Sequence, residues 1–556
     1  MFRVPTLRTQ RFTQLFRMMS IVTTSTARRL AWAAVLLAAA AVRLPTAIAA
    51  RPYINYVDEG HVLHHAVHLL VHRTWDPEYY MYPTLPTYAV AAATWAWSPA
   101  YKAAHGQPLR HGLSAAPFRY YDVLEPWELI LAGRLVNLAL GLGIVVLTGL
   151  LVQRLAGQAA GLFAAWLAAL APALVIRGAS VSVDPYAAFF VLAALFFAEK
   201  VREGLREGPR PRLYAALAGA MVGLAAVSKY PGALAGLPVA LAVLYAGGPW
   251  KERLRRLLLA GASAVLAAVL AMPALVLRTA EVLRTLREVS AIYIHQQAGS
   301  YWDQAVHRAE WDQPLHHPEL GIVFMLLTAA GLLLGLQERR WTRSVQGWLL
   351  FAAALGLLLS PYRFRALRNL LPLIPLACAL VALVYARLRE PAPRRLRLGL
   401  DLAAALLPLL LWTPALRDYL RYQLTLEDTR EKAIAWLAQH TGPDDRILFL
   451  EEMAFLPSRI GTLGTRGEIR PWKEVVNLIE KRRARYVVLG NLPLPDGRPR
   501  IRPSLRPVIL HRYQIAARFG HDPTFIVPGA HKGNHQTIYI LKRVPRRGGS
   551  PPASRR

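Results

Sequence analysis

Long apolar runs separated by short basic segments dominate the first three quarters of the chain. They are rich in Ala, Leu, Gly and Val, and most have the roughly 15–20 residues that a helix needs to cross a bilayer. Small residues let such helices pack closely. The pattern predicts about eleven membrane-spanning helices, near residues 30–50, 129–152, 159–177, 186–200, 213–228, 231–247, 258–277, 320–337, 346–360, 371–387 and 398–414.

The charged residues between these runs predict the orientation of the chain. With the N-terminal segment 1–29 in the cytoplasm, every predicted inner loop carries several Arg or Lys residues, as the positive-inside rule requires. No small-residue cleavage site follows the first run, so Leu30–Ala50 is interpreted as a signal-anchor that is retained. The chain after Pro414 is then predicted to lie outside.

One apolar segment, Tyr82–Ala100, does not fit the count. Treating it as a span would invert every later loop and spoil the charge pattern. It is therefore predicted to be a shallow or re-entrant segment, interrupted by its prolines, within a long outer loop at 51–128. A second outer loop is predicted at 278–319. Both are rich in aromatic residues, which are typical of membrane anchoring and of sugar stacking.

The composition favours a membrane protein and excludes several other classes. The chain has 556 residues, of which 54% are hydrophobic, and a formal net charge of +32. In a soluble protein this charge would suggest nucleic acid as a partner, but the arginines lie between apolar runs and no nucleic-acid-binding motif occurs. Membrane lipids are the expected partners. A single cysteine, Cys378, excludes an intrachain disulfide and a cysteine-based metal site.

The pattern changes after Pro414 to alternating short helices and strands. Such alternation predicts a small extracytoplasmic α/β domain over 415–545 within the membrane protein, which is polytopic and α-helical up to residue 414. The Gly, Ser, Pro and Arg of 546–556 predict a disordered tail. The predicted elements are a helix at Arg430–His440, a strand at Arg446–Leu450, a helix at Trp472–Arg483 and strands at Tyr486–Leu489 and Gln536–Arg543.

Three carboxylates are candidates for acid–base chemistry. Asp58 and Glu59 follow the first apolar run, and Asp184 precedes a later one on the same predicted face of the membrane. Each could simply cap a helix. The alternative is that Asp58 takes a proton from a hydroxyl group at the membrane surface.

Several cations are candidates for binding an anionic substrate. Arg363, Arg365 and Arg368 lie on a predicted outer loop, against the positive-inside trend, and an Arg fork can bind phosphate or a lipid headgroup. Lys229, between two short spans, could meet a phosphate or extend to headgroups. Arg134, inside an apolar run, needs a carboxylate or a phosphate as partner.

Four histidines, His61, His65, His68 and His72, share one helical face. They could bind a metal ion, but no cysteine or acidic residue completes a site, so an amphipathic surface helix is favoured. No cofactor and no metal are predicted, although the sequence is compatible with a divalent metal ion.

Taken together and in order, the motifs resemble the GT-C superfamily of lipid-carrier-dependent glycosyltransferases. The protein O-mannosyltransferase-like, aminoarabinose-transferase-like and RgtA/B/C/D-like families are the most similar, over about residues 30–390. The motifs that carry the resemblance are Asp58-Glu59, Tyr82-Pro-Thr-Leu-Pro86, Gly133-Arg134-Leu135, Asp184, Ser228-Lys229-Tyr230 and the segment Arg363–Pro375.

This resemblance implies that a sugar on a polyprenyl-phosphate donor is transferred, on the outer face of the cell membrane, to a hydroxyl of a glycan, lipid or protein. It implies that Asp58 is the first-loop acid, which acts as the base or positions the acceptor, and that Asp184 is the second-loop acid. Lys229 and the three loop arginines would contact the carrier phosphate. Tyr82 stands where the family often has Lys-Pro-Pro-Leu, so this loop lacks its basic residue. A transporter or flippase, and a non-catalytic scaffold, are the alternatives.

Overall fold

A computed structural model gives the structure of the chain. Within the first two helices, side chains are described from Thr26 and from Glu59 onwards. The described residues are 7–48, 57–108, 128–178, 180–207, 211–295, 320–362, 367–425, 428–450, 460–470, 474, 478, 484–490, 513–520 and 538–544.

Helices account for most of the described residues up to residue 425, as the apolar runs predict. They are α1 (Leu7–Ile48), α2 (Val57–His72), α3 (Leu85–His105), α4 (Glu128–Ala156), α5 (Gln158–Leu170), α6 (Pro172–Arg177), α7 (Val183–Glu207), α8 (Pro211–Ala226), α9 (Gly236–Tyr245), α10 (Trp250–Ala271), α11 (Ala274–Leu277), α12 (Thr279–His295), α13 (Ile322–Gln337), α14 (Arg339–Leu359), α15 (Leu373–Arg389) and α16 (Arg394–Thr425). Two 3₁₀ turns, Tyr230–Ala235 and Leu367–Leu370, precede α9 and α15.

Five helices among the described residues are long and apolar enough to cross a membrane. They lie within α1, α4, α10, α14 and α16. Shorter apolar helices, including α5, α8 and α13, pack with them around one apolar core. The predicted run 159–177 is divided at Ala171, where Pro172 begins α6. The number of eleven spans remains a prediction.

The structure corrects one prediction and extends two helices beyond the predicted spans. The segment predicted to be interrupted at Tyr82–Ala100 contains the unbroken helix α3, because Pro86 lies in its first turn, where no backbone N–H is needed. Helix α1 begins at Leu7, inside the predicted N-terminal segment. Helix α16 continues beyond the predicted boundary at 414, and its Tyr419 is buried in the same core as the preceding helices.

The described residues of the C-terminal region form one helix and five strands. These are α17 (Thr429–His440), β1 (Arg446–Leu450), β2 (Arg466–Arg470), β3 (Tyr486–Gly490), β4 (Tyr513–Phe519) and β5 (Ile538–Arg543). The strands form a mixed sheet with the order β2-β1-β3-β5-β4. β1 runs parallel to β2 and β3, whereas β5 pairs antiparallel with β3 and β4. Helix α17 packs against this sheet and shares its apolar core.

These bounds agree closely with the predicted helix at Arg430–His440 and the predicted strands in this region. β2 and β4 were not predicted, and β2 contains only one large apolar residue, Ile469. The predicted helix at Trp472–Arg483 lies almost entirely outside the described residues. The tail that was predicted to be disordered, 546–556, and residues 1–6 lie wholly outside them. The location of this region relative to the membrane stays a prediction.

Candidate functional site

Glu59 and Arg134 form a fully buried ion pair near the starts of α2 and α4. Arg134 donates from Nε to Glu59 Oε1 at 2.8 Å and from its terminal nitrogen to Oε2 at 2.9 Å. Both side chains have no exposed surface. Arg134 thus has the carboxylate partner that a buried arginine requires. The geometry gives both residues a structural contact, and the catalytic role predicted for Glu59 and the phosphate-binding role predicted for Arg134 stay predictions.

The same carboxylate also holds the segment that leads into α7. Glu59 Oε1 accepts a hydrogen bond from the backbone N–H of Val181 at 2.8 Å. Val181 packs closely against Gly133, where a Cβ atom would lie 2.7 Å from the Val181 side chain. A glycine is therefore needed beside Arg134 for this approach. The start of α2, which carries Asp58, is thereby joined to the segment that carries Asp184.

Asn137, which was not predicted as a site residue, completes this anchor. Its side-chain amide donates to the carbonyl oxygens of Ser180 at 2.6 Å and Ser182 at 3.0 Å. It lies one helical turn after Gly133 on α4, so it faces the same segment. The sequence contains one indication of this role: Asn137 is an amide within an otherwise apolar helix, and a buried amide needs a hydrogen-bond partner.

Asp184 and Lys229 form the second ion pair of the site. Asp184 lies in the first turn of α7 and is 2% exposed. Its Oδ1 accepts from Lys229 Nζ at 2.5 Å, and its Oδ2 accepts from the Ser182 hydroxyl at 3.0 Å. Its own backbone N–H donates to that hydroxyl at 3.2 Å, which fixes the turn.

Lys229 also contacts the loop before α15. Its ammonium donates to Asn369 Oδ1 at 2.8 Å. Asn369 belongs to the 3₁₀ turn that also contains Arg368, a half-buried residue whose charge acts on Asp184. Two predicted residues, Asp184 and Lys229, are therefore in direct contact, and the charge of a third, Arg368, acts on Asp184. Sequence reasoning did not assign a role to Asn369.

The motif Tyr82–Pro86 supports Lys229 from another side. The Thr84 hydroxyl donates to the carbonyl oxygen of Ala271, and the Leu85 N–H donates to that of Val227, at 3.0 and 3.2 Å. Val227 lies two residues before Lys229, so this loop fixes the end of α8. Tyr82 itself is half-buried and contacts the ring of His61, with 5.9 Å between the ring centroids.

The histidines of α2 pack against tyrosines. His65 stacks on Tyr79 with 4.2 Å between the ring centroids, and its Nδ1 lies 2.9 Å from the carbonyl oxygen of Pro77. Burial, with a smaller contribution from His64, lowers the pKa of His65 to about 3. Its imidazole is neutral at pH 7 and donates to Pro77. In the part of the chain that the structure describes, no group of three or more His, Cys, Asp or Glu side chains is arranged to hold a metal ion.

Asp58, Arg363 and Arg365 cannot be assigned contacts. Asp58 lies in the first turn of α2, next to the anchored Glu59, but its side chain is outside the described residues. Arg363 and Arg365 lie wholly outside them, between Tyr362 and Leu367. Tyr362 stacks on Tyr293 of α12 with 5.0 Å between the ring centroids, so the start of this loop is fixed by a neighbouring helix.

Comparison with known proteins gives one family model and several similar folds. The model for dolichyl-phosphate-mannose-protein mannosyltransferases (PMT_2) matches residues 128–277, which include Arg134, Asp184 and Lys229. No curated protein sequence matches the chain significantly.

Two of the similar solved structures cover most of the chain. ArnT from Cupriavidus metallidurans bound to undecaprenyl phosphate has a TM-score of 0.53 and 14% sequence identity, over 93% of this chain and 98% of that chain. The archaeal oligosaccharyltransferase AglB from Archaeoglobus fulgidus, in complex with an inhibitory peptide and a dolichol-phosphate, has a TM-score of 0.52 and 12% identity, over 84% and 70% of the two chains.

These matches and the apolar helices identify a multi-pass membrane protein. The resemblance predicted from the motifs is confirmed at the level of the fold: the chain is similar in fold to ArnT and AglB, and its residues 128–277 match the family model of dolichyl-phosphate-mannose-protein mannosyltransferases.

Proposed function

We propose that this protein is a membrane glycosyltransferase that moves a sugar from a polyprenyl-phosphate donor to an acceptor hydroxyl on the outer face of the membrane. The observation that supports it best is the ammonium of Lys229, held between Asp184 and Asn369 in a GT-C fold. The solved ArnT structure of this fold is bound to undecaprenyl phosphate.

The reaction makes clear why cations are needed. The acceptor oxygen attacks the anomeric carbon, its proton passes to a base, and the bond between the anomeric carbon and the phosphate oxygen breaks. The leaving polyprenyl phosphate gains one negative charge. Fixed cations stabilise charge that develops in the transition state more than they stabilise the ground state. Lys229 and Arg368, with Arg363 and Arg365 on the same loop, are proposed to supply them.

Asp58 is proposed as the base. Asp184 is engaged by the Lys229 ammonium and by Ser182, and Glu59 is engaged by Arg134, so neither carboxylate is available to take a proton in this arrangement. Asp58 lies beside the anchored Glu59, on the helix start that contacts the Val181 segment. A direct displacement at the anomeric carbon inverts its configuration, and the product should show this inversion.

The test is transfer by an Asp58→Asn variant in proteoliposomes that contain a radiolabelled polyprenyl-phosphate sugar. A general base contributes about 100- to 10,000-fold to a rate, so transfer should fall by that factor. Thermal unfolding of the purified variant serves as the control, since Asn preserves the size of the side chain. A correctly folded variant with unchanged transfer would exclude Asp58 as the base. Uptake or flipping of lipid without any transfer by the parent protein would favour a transporter.

A further inference from the structure

We infer that Asn369 is a positioning residue that fixes the direction of the Lys229 ammonium. The expected effect of Asn369 on the binding of a lipid phosphate rests on the proposed function. The expected effect of Asn369 on Lys229 does not.

The geometry of the ammonium is the first argument. Lys229 Nζ donates to Asp184 Oδ1 at 2.5 Å and to Asn369 Oδ1 at 2.8 Å. An ammonium group has three N–H donors in a tetrahedral arrangement. One acceptor alone would leave the group free to rotate about that hydrogen bond. Two acceptors fix two of the N–H directions, and they thereby determine the third.

The rigidity of both partners is the second argument. The Lys229 N–H donates to the Ala225 carbonyl at 3.1 Å, and the Lys229 carbonyl accepts from Gly232 at 2.7 Å. A Cβ atom at Gly232 would lie 2.3 Å from that same Ala225 oxygen, so the turn requires a glycine. Asn369 is 7% exposed and belongs to a 3₁₀ turn. The backbone at each end of the hydrogen bond is therefore fixed.

The charge of the group is the third argument. Lys229 and Asp184 together carry no net charge, and Arg368 adds one positive charge nearby. A second carboxylate in place of Asn369 would hold the ammonium equally well, but it would make the surroundings of Lys229 less positive. The neutral amide fixes the direction without this loss. An anion that approaches the third N–H therefore meets a group with a net positive charge.

The first experiment measures Lys229 itself and needs no lipid ligand. The full chain in phosphatidylcholine nanodiscs is treated with formaldehyde and cyanoborohydride, and methylation of Lys229 is followed by peptide mass spectrometry. Asn369→Leu, which removes the acceptor at similar size, should raise the methylation rate several-fold, because a charged hydrogen bond is lost. Leu370→Ala, in the same 3₁₀ turn, is the matched control and should leave the rate unchanged. An unchanged rate in Asn369→Leu would overturn the inference.

The second experiment is a double-mutant cycle on binding of undecaprenyl phosphate. Asn369→Leu should weaken binding about 10-fold, and it should cause no further loss in a Lys229→Met background. Equal losses in both backgrounds would show that Asn369 acts independently of Lys229, which contradicts the inference. If the parent protein binds the lipid no more tightly than Lys229→Met, the proposed function fails, while the methylation rates still decide the role of Asn369.

Discussion

The two buried ion pairs of the site differ in how completely they are enclosed. In the Glu59–Arg134 pair, two parallel hydrogen bonds join side chains with no exposed surface, and a backbone N–H occupies the same carboxylate. In the Asp184–Lys229 pair, the carboxylate is 2% exposed, whereas the lysine side chain is 18% exposed. The first pair is closed, and the second is open on its cationic side.

This difference predicts that the two pairs differ in their capacity to bind an anionic substrate. A closed bidentate pair fixes two helices and has little capacity left for a substrate. An ammonium with two acceptors and some exposure can still receive an anion. All four residues lie near helix ends in the sequence, so their positions do not show which pair is closed. The exposed fraction of the side chains shows it.

The largest expected effect is on folding, from Glu59→Gln. The change leaves the Arg134 charge buried without its carboxylate, which should lower the free energy of unfolding by about 3–5 kcal/mol. The measurement is thermal or denaturant unfolding of the purified protein in detergent. The double variant Glu59→Leu/Arg134→Met removes both charges and should recover part of the loss. A Glu59→Gln protein as stable as its parent would show that the pair is not structural.

A smaller loss of stability is expected from Asp184→Asn. The amide keeps an oxygen acceptor for Lys229, and the partly exposed ammonium can still be solvated, so the loss should be about 1–2 kcal/mol. The same unfolding measurement compares it with Glu59→Gln. If Asp184→Asn destabilises the protein as much as Glu59→Gln does, the distinction between a closed and an open pair is wrong.

The smallest expected effect is the pH dependence carried by His65. Burial lowers its pKa to about 3, from 6.5 in the unfolded chain, so folding favours the neutral ring. Its contribution to stability is complete above pH 6.5 and is lost as the pH falls below this value. At pH 5 the loss should be about 1 kcal/mol, since His65 is partly exposed.

His65→Asn is the variant that tests this assignment, because Asn can still donate to the Pro77 carbonyl but does not titrate. Its unfolding free energy should change less between pH 7 and pH 5 than that of the parent. Burial also lowers the pKa of His64, so part of the slope should remain. Equal slopes for variant and parent would exclude His65 as a source of the pH dependence.

Much of the fold can be predicted from hydrophobic periodicity, and the site only in part. The apolar runs and the strand at Arg446–Leu450 were predictable, because burial and period determine them. The partner of Arg134 was not predictable. Asp58 and Glu59 are adjacent but lie on different faces of a helix, and the sequence does not show which of the two faces Arg134. Asn369 gave no signal because a neutral amide does not disturb the charge pattern. The end of α16 was misplaced because Pro414 is tolerated inside this helix.

Helix α16 connects the helical part of the chain to the sheet of the C-terminal region. Its 32 residues form one rod of about 48 Å, compared with about 30 Å for the hydrocarbon of a bilayer. Only two residues separate its end from the capping residue Asp428 of α17. Because α16 is longer than the hydrocarbon is thick, a part of this helix lies beyond the hydrocarbon unless the helix is tilted within it.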